Sequence, residues 1–329
     1  MELSWRKIEW ELRHSFNLSI HSRVSTPAVL ITIKYQGKEG IGEISLPPYM
    51  KENQASVIKV LKGLDISNLS FKDAKSFHHC LDKIGQQVGE NLPCMAGLDI
   101  ALHQLYTQLI GESINDFYGL KRNTKKATSF TITYDKDAIL REKLDLAKQF
   151  KILKIKLGTK YDKSFIYTIR KYTDKPLYVD VNQGWQSLDE ALEMIDFLEN
   201  QNVQVIEQPF DKANLELHRQ LKPLSSIPII ADESLQSIVD LDKMKDAFHG
   251  VNIKLMKAGG IRNAFRMIEK AKTLNLETML GCMTSSTCAI SAANHLSEMV
   301  DYIDLDGAFL ITNDPFYSLK IKHGVLYSA

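Results

Sequence analysis

The sequence predicts an α/β fold: a (β/α)8-type barrel preceded by a separate α+β module. Three observations predict it. Short apolar runs recur after residue 127 with centres about 25 residues apart. Most of the gaps between them are long enough for a helix. The polar residues within the runs fall at the C-terminal ends, where a barrel of this kind carries its site.

In chain order, residues 1–45 alternate in "KIEWELR", "PAVLITIKYQG" and "GIGEISL", the pattern of half-buried strands. Gly37, Gly40 and Gly42 predict a glycine-rich hairpin. A nucleotide loop is rejected, because no helix follows directly and Pro47-Pro48 block one. From about residue 50 to 120 the period turns helical, in "QASVIKVLKGL", "DAKSFHHCLDKIGQQV" and "MAGLDIALHQLYTQLIG". Residues 1–122 are therefore assigned to an α+β domain. The barrel, residues 123–310, carries its strands in "TSFTITY", "LKIKLG", "LYVDVNQ", "VQVIEQP", "PIIADES", "GVNIKLMK", "ETMLGCM" and "YIDLDGAF". Stretches such as "SLDEALEMIDFLENQ" and "IRNAFRMIEKAKTLN" supply the helices. No clear helix follows the last strand, and residues 311–329 read as a tail returning to the first domain.

The 329 residues are 44% apolar and 25% charged, as in a soluble globular protein. Lysine plus arginine number 41 against 40 acids, a net charge of +1, so no electrostatic case exists for nucleic acid or an anionic membrane. Cys80, Cys94, Cys282 and Cys288 form no CxxC pair, which fits a reducing compartment. No apolar run approaches the roughly 18 residues of a membrane span. The start, "MELSWRKIEWELRHSF", is too charged for a signal peptide, and a cytoplasmic location is expected.

The stretch "KILKIKLG" puts Lys154 and Lys156 two apart on a strand, hence on one face. Two buried ammonium groups side by side are costly, so a core strand carries them for a reason. Asp180, Glu207 and Asp232 end three consecutive strands and suit a hard divalent cation such as Mg2+. Absence of His and Cys there disfavours zinc. Any one of these acids alone reads as an ordinary salt-bridged strand end; three at matching positions favour a metal. Lys254 lies on the sixth strand, roughly opposite Lys156, so lysines can reach both faces of a bound molecule. One must be neutral to remove a proton, against a free pKa of about 10.4. A neighbouring ammonium, a nearby cation and burial all act to lower it.

These residues resemble the enolase superfamily in its muconate-lactonising branch, through "KIKLG", "DVNQGW", "EQP", "ADES" and "NIKLMKAGG". The resemblance implies a modified TIM-type barrel with an N-terminal capping domain completed by the tail. It also implies Mg2+ on Asp180, Glu207 and Asp232, Lys156 and Lys254 as the acid/base pair, and Lys154 as auxiliary lysine. The branch includes cycloisomerases, o-succinylbenzoate synthases, N-acylamino acid racemases and dipeptide epimerases. In "DLDG", Asp304 and Asp306 face one side, a poor neighbour for an acid and a good one for an ammonium. The pattern is similar to that of L-Ala-D/L-Glu epimerases, so a small-molecule dipeptide is the expected substrate. The alternatives are an N-acylamino acid racemase or o-succinylbenzoate synthase, or a catalytically silent metal- and carboxylate-binding barrel. A homo-oligomer is compatible with the fold class, and nothing in the sequence marks an interface.

The stretch "HSFNLSIHSRVSTP" supplies Phe16, His21 and Arg23 as candidates to cover the site. Where such an epimerase is expected to carry an arginine for glutamate, the simplest gapless match lands on His21, with Arg23 two residues on. In "GCMTSST", Met283 is followed by Thr284-Ser285-Ser286 in place of the more usual acidic residue. Thr284 and Thr131 read equally as hydrogen-bond donors to a substrate carboxylate or as plain structural hydroxyls. Cys282 lacks an adjacent His and reads as a pocket-lining thiol. "KAGGIRNA" reads equally as an anion seat at a helix N-terminus or as a simple glycine turn.

Overall fold

The computed structural model describes residues 1–17, 22–67, 69–121, 126–316 and 319–328. Strands β1 (Glu2–Asn17), β2 (Ser22–Tyr35) and β3 (Lys38–Ser45) form an antiparallel sheet in that order. Gln36 and Gly37 both adopt positive φ, 49° and 74°, the conformation of a two-residue hairpin whose twist matches its strands. Gly40 and Gly42 have another purpose. A Cβ on either would stand 1.9 Å from a carbonyl oxygen of the helix lying across the sheet.

The helices of this domain are α1 (Gln54–Gly63), α2 (Ala74–Val88), α3 (Leu92–Ile110) and the short α4 (Ile114–Phe117). Helix α3 is apolar nearly all round and buried over most of its length. Leu98, Leu102 and Leu105 face the domain's own core, whereas Ala96 and Ile100 join the barrel's core. It is the shared wall of the two domains.

Eight parallel strands follow: β4 (Ser129–Ile132), β5 (Ile152–Lys156), β6 (Leu177–Asp180), β7 (Val203–Glu207), β8 (Ile229–Ala231), β9 (Gly250–Lys254), β10 (Glu277–Gly281) and β11 (Tyr302–Asp304). Helices α5 (Asp137–Leu146), α6 (Asp162–Arg170), α7 (Leu188–Glu199), α8 (Leu215–Leu221), α9 (Leu241–Ala247), α10 (Leu255–Ala258), α11 (Ile261–Thr273) and α12 (Thr287–Asn294) connect them. Strand alternation sorts the side chains. Ile155, Val179, Ile206, Ile253 and Leu280 join the core beneath the helices. Tyr178, Val205, Ile230 and Met279, with Ile152 and Tyr302 against them, fill the barrel floor. Two residues further along, the same inward row holds Lys154, Asp180, Glu207, Asp232 and Asp304.

Between β11 and β4 a single parallel bridge, Thr128–Ile303, joins the backbones. Side chains complete that seam: Ser129 Oγ donates to Asp304 Oδ1 at 2.6 Å, and the Thr131 N–H donates to Asp306 Oδ2 at 2.6 Å. After β11 only a short 3-10 turn, Gly307–Phe309, is formed. Residues 310–312 then bond the backbone of Glu11 and Arg13 in β1. The final hairpin, β12 (Leu319–Lys322) and β13 (Val325–Ser328), packs on the barrel, with Thr128 N–H donating to the Gly324 carbonyl. Among the described residues no helix is long and apolar enough to cross a membrane.

Two histidines, His218 buried and His295 half-buried, make stability pH-dependent. Burial lowers His218 and His295 from 6.5 to about 4. Both are neutral in the folded chain and become free to charge on unfolding. Their stabilisation is complete above pH 6.5 and is lost as pH falls toward 4, each on the order of 3 kcal/mol. Urea unfolding at stepped pH should show this decline, and His218→Gln should flatten it; an unchanged slope in the variant would exclude His218.

Candidate active site

A cavity of about 650 Å3 opens at the C-terminal ends of the barrel strands, roofed by residues of the first domain. Lys154, Lys156, Lys254, Asp232, Asp304, Asp306, Thr131, Met283, Thr284, Phe16 and Arg23 all line it. His21 lies outside the described residues. Asp180, Glu207 and Asp232 are buried, and each offers an oxygen within 4.8 Å of the others. Register brings this about: Lys156, Asp180 and Glu207 are paired neighbours on β5, β6 and β7.

The lysines divide the acids between them. Lys154 Nζ donates to Glu207 Oε2 at 2.6 Å and Asp304 Oδ2 at 2.8 Å, and stands 3.0 Å from Asp180 Oδ2. Lys156 Nζ donates to Asp180 Oδ2 at 2.6 Å. Lys254 Nζ donates to Asp232 Oδ2 at 2.6 Å. Lys257 grips the same aspartate through Oδ1 and its carbonyl, both at 2.6 Å. That contact arises because the chain beyond Lys254 does not stay extended: residues 255–258 close into one turn ended by Gly259 at φ 83°.

Six carboxylates (Asp180, Glu207, Asp232, Glu233, Asp304 and Asp306) thus meet four ammonium groups (Lys154, Lys156, Lys254 and Lys257). Around the triad the acids outnumber the lysines by two. The titration pattern shows the same surplus. Burial disfavours charge on Asp180, but Lys154 and Lys156 prevail and hold it at about 2. Burial and then Asp180 push Glu207 up to about 8. Burial and then Asp232 push Glu233 up to about 7, and burial and then Asp304 push Asp306 up to about 7. Burial opposes the Lys254 ammonium, yet Asp232 and Glu207 keep its pKa well above the ordinary lysine value. Two further acceptors point to a hydrated cation. Among the described residues Asn182 Oδ1 and Glu233 Oε2 are buried without a hydrogen-bond partner, and metal-bound water would supply donors. The all-oxygen triad therefore fits Mg2+ or a similar hard ion.

Several supporting residues escaped sequence reasoning. Asn252 donates to Glu207 Oε1 at 2.8 Å, and its place two before Lys254 on β9 was the available signal. Gln208 Oε1 accepts the N–H groups of Asp232 and Ser234, both at 3.0 Å, and fixes the turn that presents Asp232. The anion seat in "KAGGIRNA" is filled from within: Asp99 Oδ1, on α3, accepts the Ile261 N–H at 2.6 Å. Cys282 lines the cavity as a thiol whose pKa burial, Asp306 and Asp304 drive well up, so it is poorly nucleophilic.

Residues 1–119 match the mandelate racemase / muconate lactonizing enzyme N-terminal domain, and residues 139–317 match the enolase C-terminal domain-like family. The chain belongs to the enolase superfamily. It is 40% identical over 325 residues to an L-Ala-D/L-Glu epimerase of Bacteroides thetaiotaomicron, covering 98% of this chain and 84% of that one. An L-Ala-D/L-amino acid epimerase of a Maribacter species is 34% identical, covering 98% and 94%. A solved dipeptide epimerase from Cytophaga hutchinsonii, complexed with Mg and the dipeptide D-Ala-L-Val, superposes with TM-score 0.87 at 25% identity, covering 99% of this chain and 92% of that one. The cap of this superfamily member is its first domain, and its site is the cavity between cap and barrel.

Loss of the Asn252 hydrogen bond leaves Glu207 held by Lys154 through Oε2 alone. Asn252→Ala should weaken Mg2+ binding about 10–100-fold in calorimetric titration; affinity equal to wild type would remove Asn252 from the metal's support.

Proposed function

We propose that this enolase-superfamily chain is a Mg2+-dependent dipeptide epimerase, an isomerase that inverts the α-carbon of a dipeptide's C-terminal residue by two-base 1,1-proton transfer. One observation carries the reading. Lys156 on β5 and Lys254 on β9 stand four strands apart around an eight-stranded barrel, and both open on the cavity beside the acidic triad. A carbon held between them is accessible to an amine on each face. The epimerase names of the relatives support the same chemistry.

Asp180, Glu207 and Asp232 would hold the ion, which supplies charge neutralisation for the substrate carboxylate as the α-proton departs. One lysine takes that proton as base, and the opposite one returns a proton to the other face of the resulting enediolate. Each lysine rests on a carboxylate of the triad, Lys156 on Asp180 and Lys254 on Asp232, both at 2.6 Å. The charge of Lys154, adjoining Lys156 on the same face, is spread over three carboxylates. Asp304 and Asp306 take the dipeptide's ammonium, which sets the α-carbon between the lysines. Each spends one oxygen on the β4 seam, so the ammonium site is anchored to the barrel wall.

Arg23 supports an acidic C-terminal side chain, as in L-Ala-D/L-Glu. Its guanidinium lies 5.1 Å from the Phe16 ring and 5.8 Å from the Tyr49 ring. Nη2 donates to Thr284 Oγ1 at 2.9 Å. Nε and Nη1 are buried with no acceptor among the described residues, and burial lowers the group's pKa. Two orphan donors on a lining cation are complementary to a carboxylate.

A dipeptide library incubated with Mg2+ in deuterated water tests the reading by mass shift. Label should enter dipeptides with an acidic C-terminal residue first. Lys156→Ala and Lys254→Ala should each lower epimerisation on the order of 10³-fold while leaving exchange into one epimer. Full epimerisation by either variant would refute the two-base scheme. Arg23→Met should raise KM for L-Ala-L-Glu about 10–100-fold, the worth of a charge-assisted hydrogen bond.

A further inference from the structure

The segment that follows β10, residues 283–286, is held by the cap as well as by its own helix. Tyr49 Oη donates to Met283 Sδ at 3.1 Å, and Ser45 Oγ donates to the Thr284 carbonyl at 2.7 Å. Glu43, on β3, is wholly buried and takes Ser286. Its Oε1 accepts the Ser286 N–H at 2.9 Å and Trp10 Nε1–H at 2.8 Å. Its Oε2 accepts the Ser286 hydroxyl, and the Ala289 N–H at 3.4 Å. Every one of these partners is a donor. Glutamine would keep one acceptor and lose the other, turning an NH2 toward the Ser286 hydroxyl or a backbone N–H, and an apolar residue would remove both acceptors.

Thr284 sits two residues before Ser286, and its hydroxyl is the acceptor that holds Arg23. We infer that Glu43 is a specificity-positioning residue: through Ser286 it fixes Thr284, and Thr284 aims the Arg23 guanidinium at an acidic substrate side chain. The inference rests on the reading of Arg23 given above. It gives the cap's buried carboxylate a function in substrate choice, though it touches neither substrate nor metal ligand. It also gives a reason for a carboxyl in a place where burial pushes its pKa up to about 7 against the hydrogen bonds of Ser286, Trp10 and Ala289. Ser45, from the same strand, holds the carbonyl of the same threonine, so β3 locates both ends of this relay.

The test compares kcat and KM for L-Ala-L-Glu and L-Ala-L-Leu in wild type, Glu43→Gln, Ser286→Ala, Arg23→Met and the Glu43→Gln/Arg23→Met double variant, each loaded with Mg2+. Glu43→Gln and Ser286→Ala should each cut the preference for the acidic dipeptide about 10-fold, through KM. Turnover of L-Ala-L-Leu should stay within about 2-fold in both. In the Arg23→Met background, Glu43→Gln should change the preference no further. Equal losses on both dipeptides would reduce Glu43 to a structural role and overturn the inference. So would a loss of preference that persists without Arg23. Should Glu43→Gln fail to fold, Ser286→Ala decides alone, because it keeps the Trp10 and backbone bonds to Glu43. A wild-type enzyme with no acidic preference overturns the Arg23 reading and this inference together; a preference that survives Glu43→Gln and Ser286→Ala overturns the inference only.

Discussion

The charge network centred on Lys154 is the constraint from which the rest of the site follows. One buried ammonium lies within 3.0 Å of Asp180, Glu207 and Asp304, so it ties β5 to β6, β7 and β11. Bare carboxylates at this depth would be severely destabilising, because desolvation of an unpaired charge exceeds most single stabilising interactions in a fold. The lysine makes the acidic row tolerable, and the acidic row makes the lysine tolerable. Their mutual pairing still leaves negative charge in excess, as the raised values for Glu207, Glu233 and Asp306 register. A fold that stabilises such a surplus is one prepared for a cation.

The barrel's geometry explains why that surplus is confined to one layer. Inward positions repeat every second residue, and each strand passes from Tyr178, Val205 or Ile230 on the floor to Asp180, Glu207 or Asp232 above it. The floor excludes water from below, and the cap closes over the top through Phe16, Tyr49 and Met50. Electrostatic interactions between substrate and side chains are therefore made in a poorly screened space, where each is strongest.

This periodicity is also why much of the site was legible in the sequence. The triad and the lysines carry their address in their own strand, two residues past an apolar floor position. Glu43 and Asp99 carry no such address. Each sits in the cap and takes its partner 243 or 162 residues away, so nothing local distinguishes it from a solvated acid. Glycines misled in a related way. Gly40 and Gly42 belong to the hairpin as expected, yet their bare Cα atoms serve the helix that crosses it. The pair Asp304 and Asp306 was legible as a carboxylate pair facing the site. Its second task, closing the β11–β4 seam through Ser129 and Thr131, depends on which strands become neighbours and so emerges only with the closed barrel.

The positions of Glu43 and Asp99 make the cap part of the barrel's site. Helix α11 begins directly after the segment bearing Lys254 and Lys257, and Asp99 occupies its N-terminus. Helix α12 begins directly after Met283 and Thr284, and Glu43 occupies its N-terminus from the cap while Asp314 bonds Thr287 from the tail. A buried helix N-terminus left unfilled would be a site of unsatisfied N–H groups and positive potential. Filling both with the protein's own acids satisfies these N–H groups from within. The cap therefore secures the helices that follow β9 and β10 as well as covering the cavity, and the candidate site is built by the two domains together.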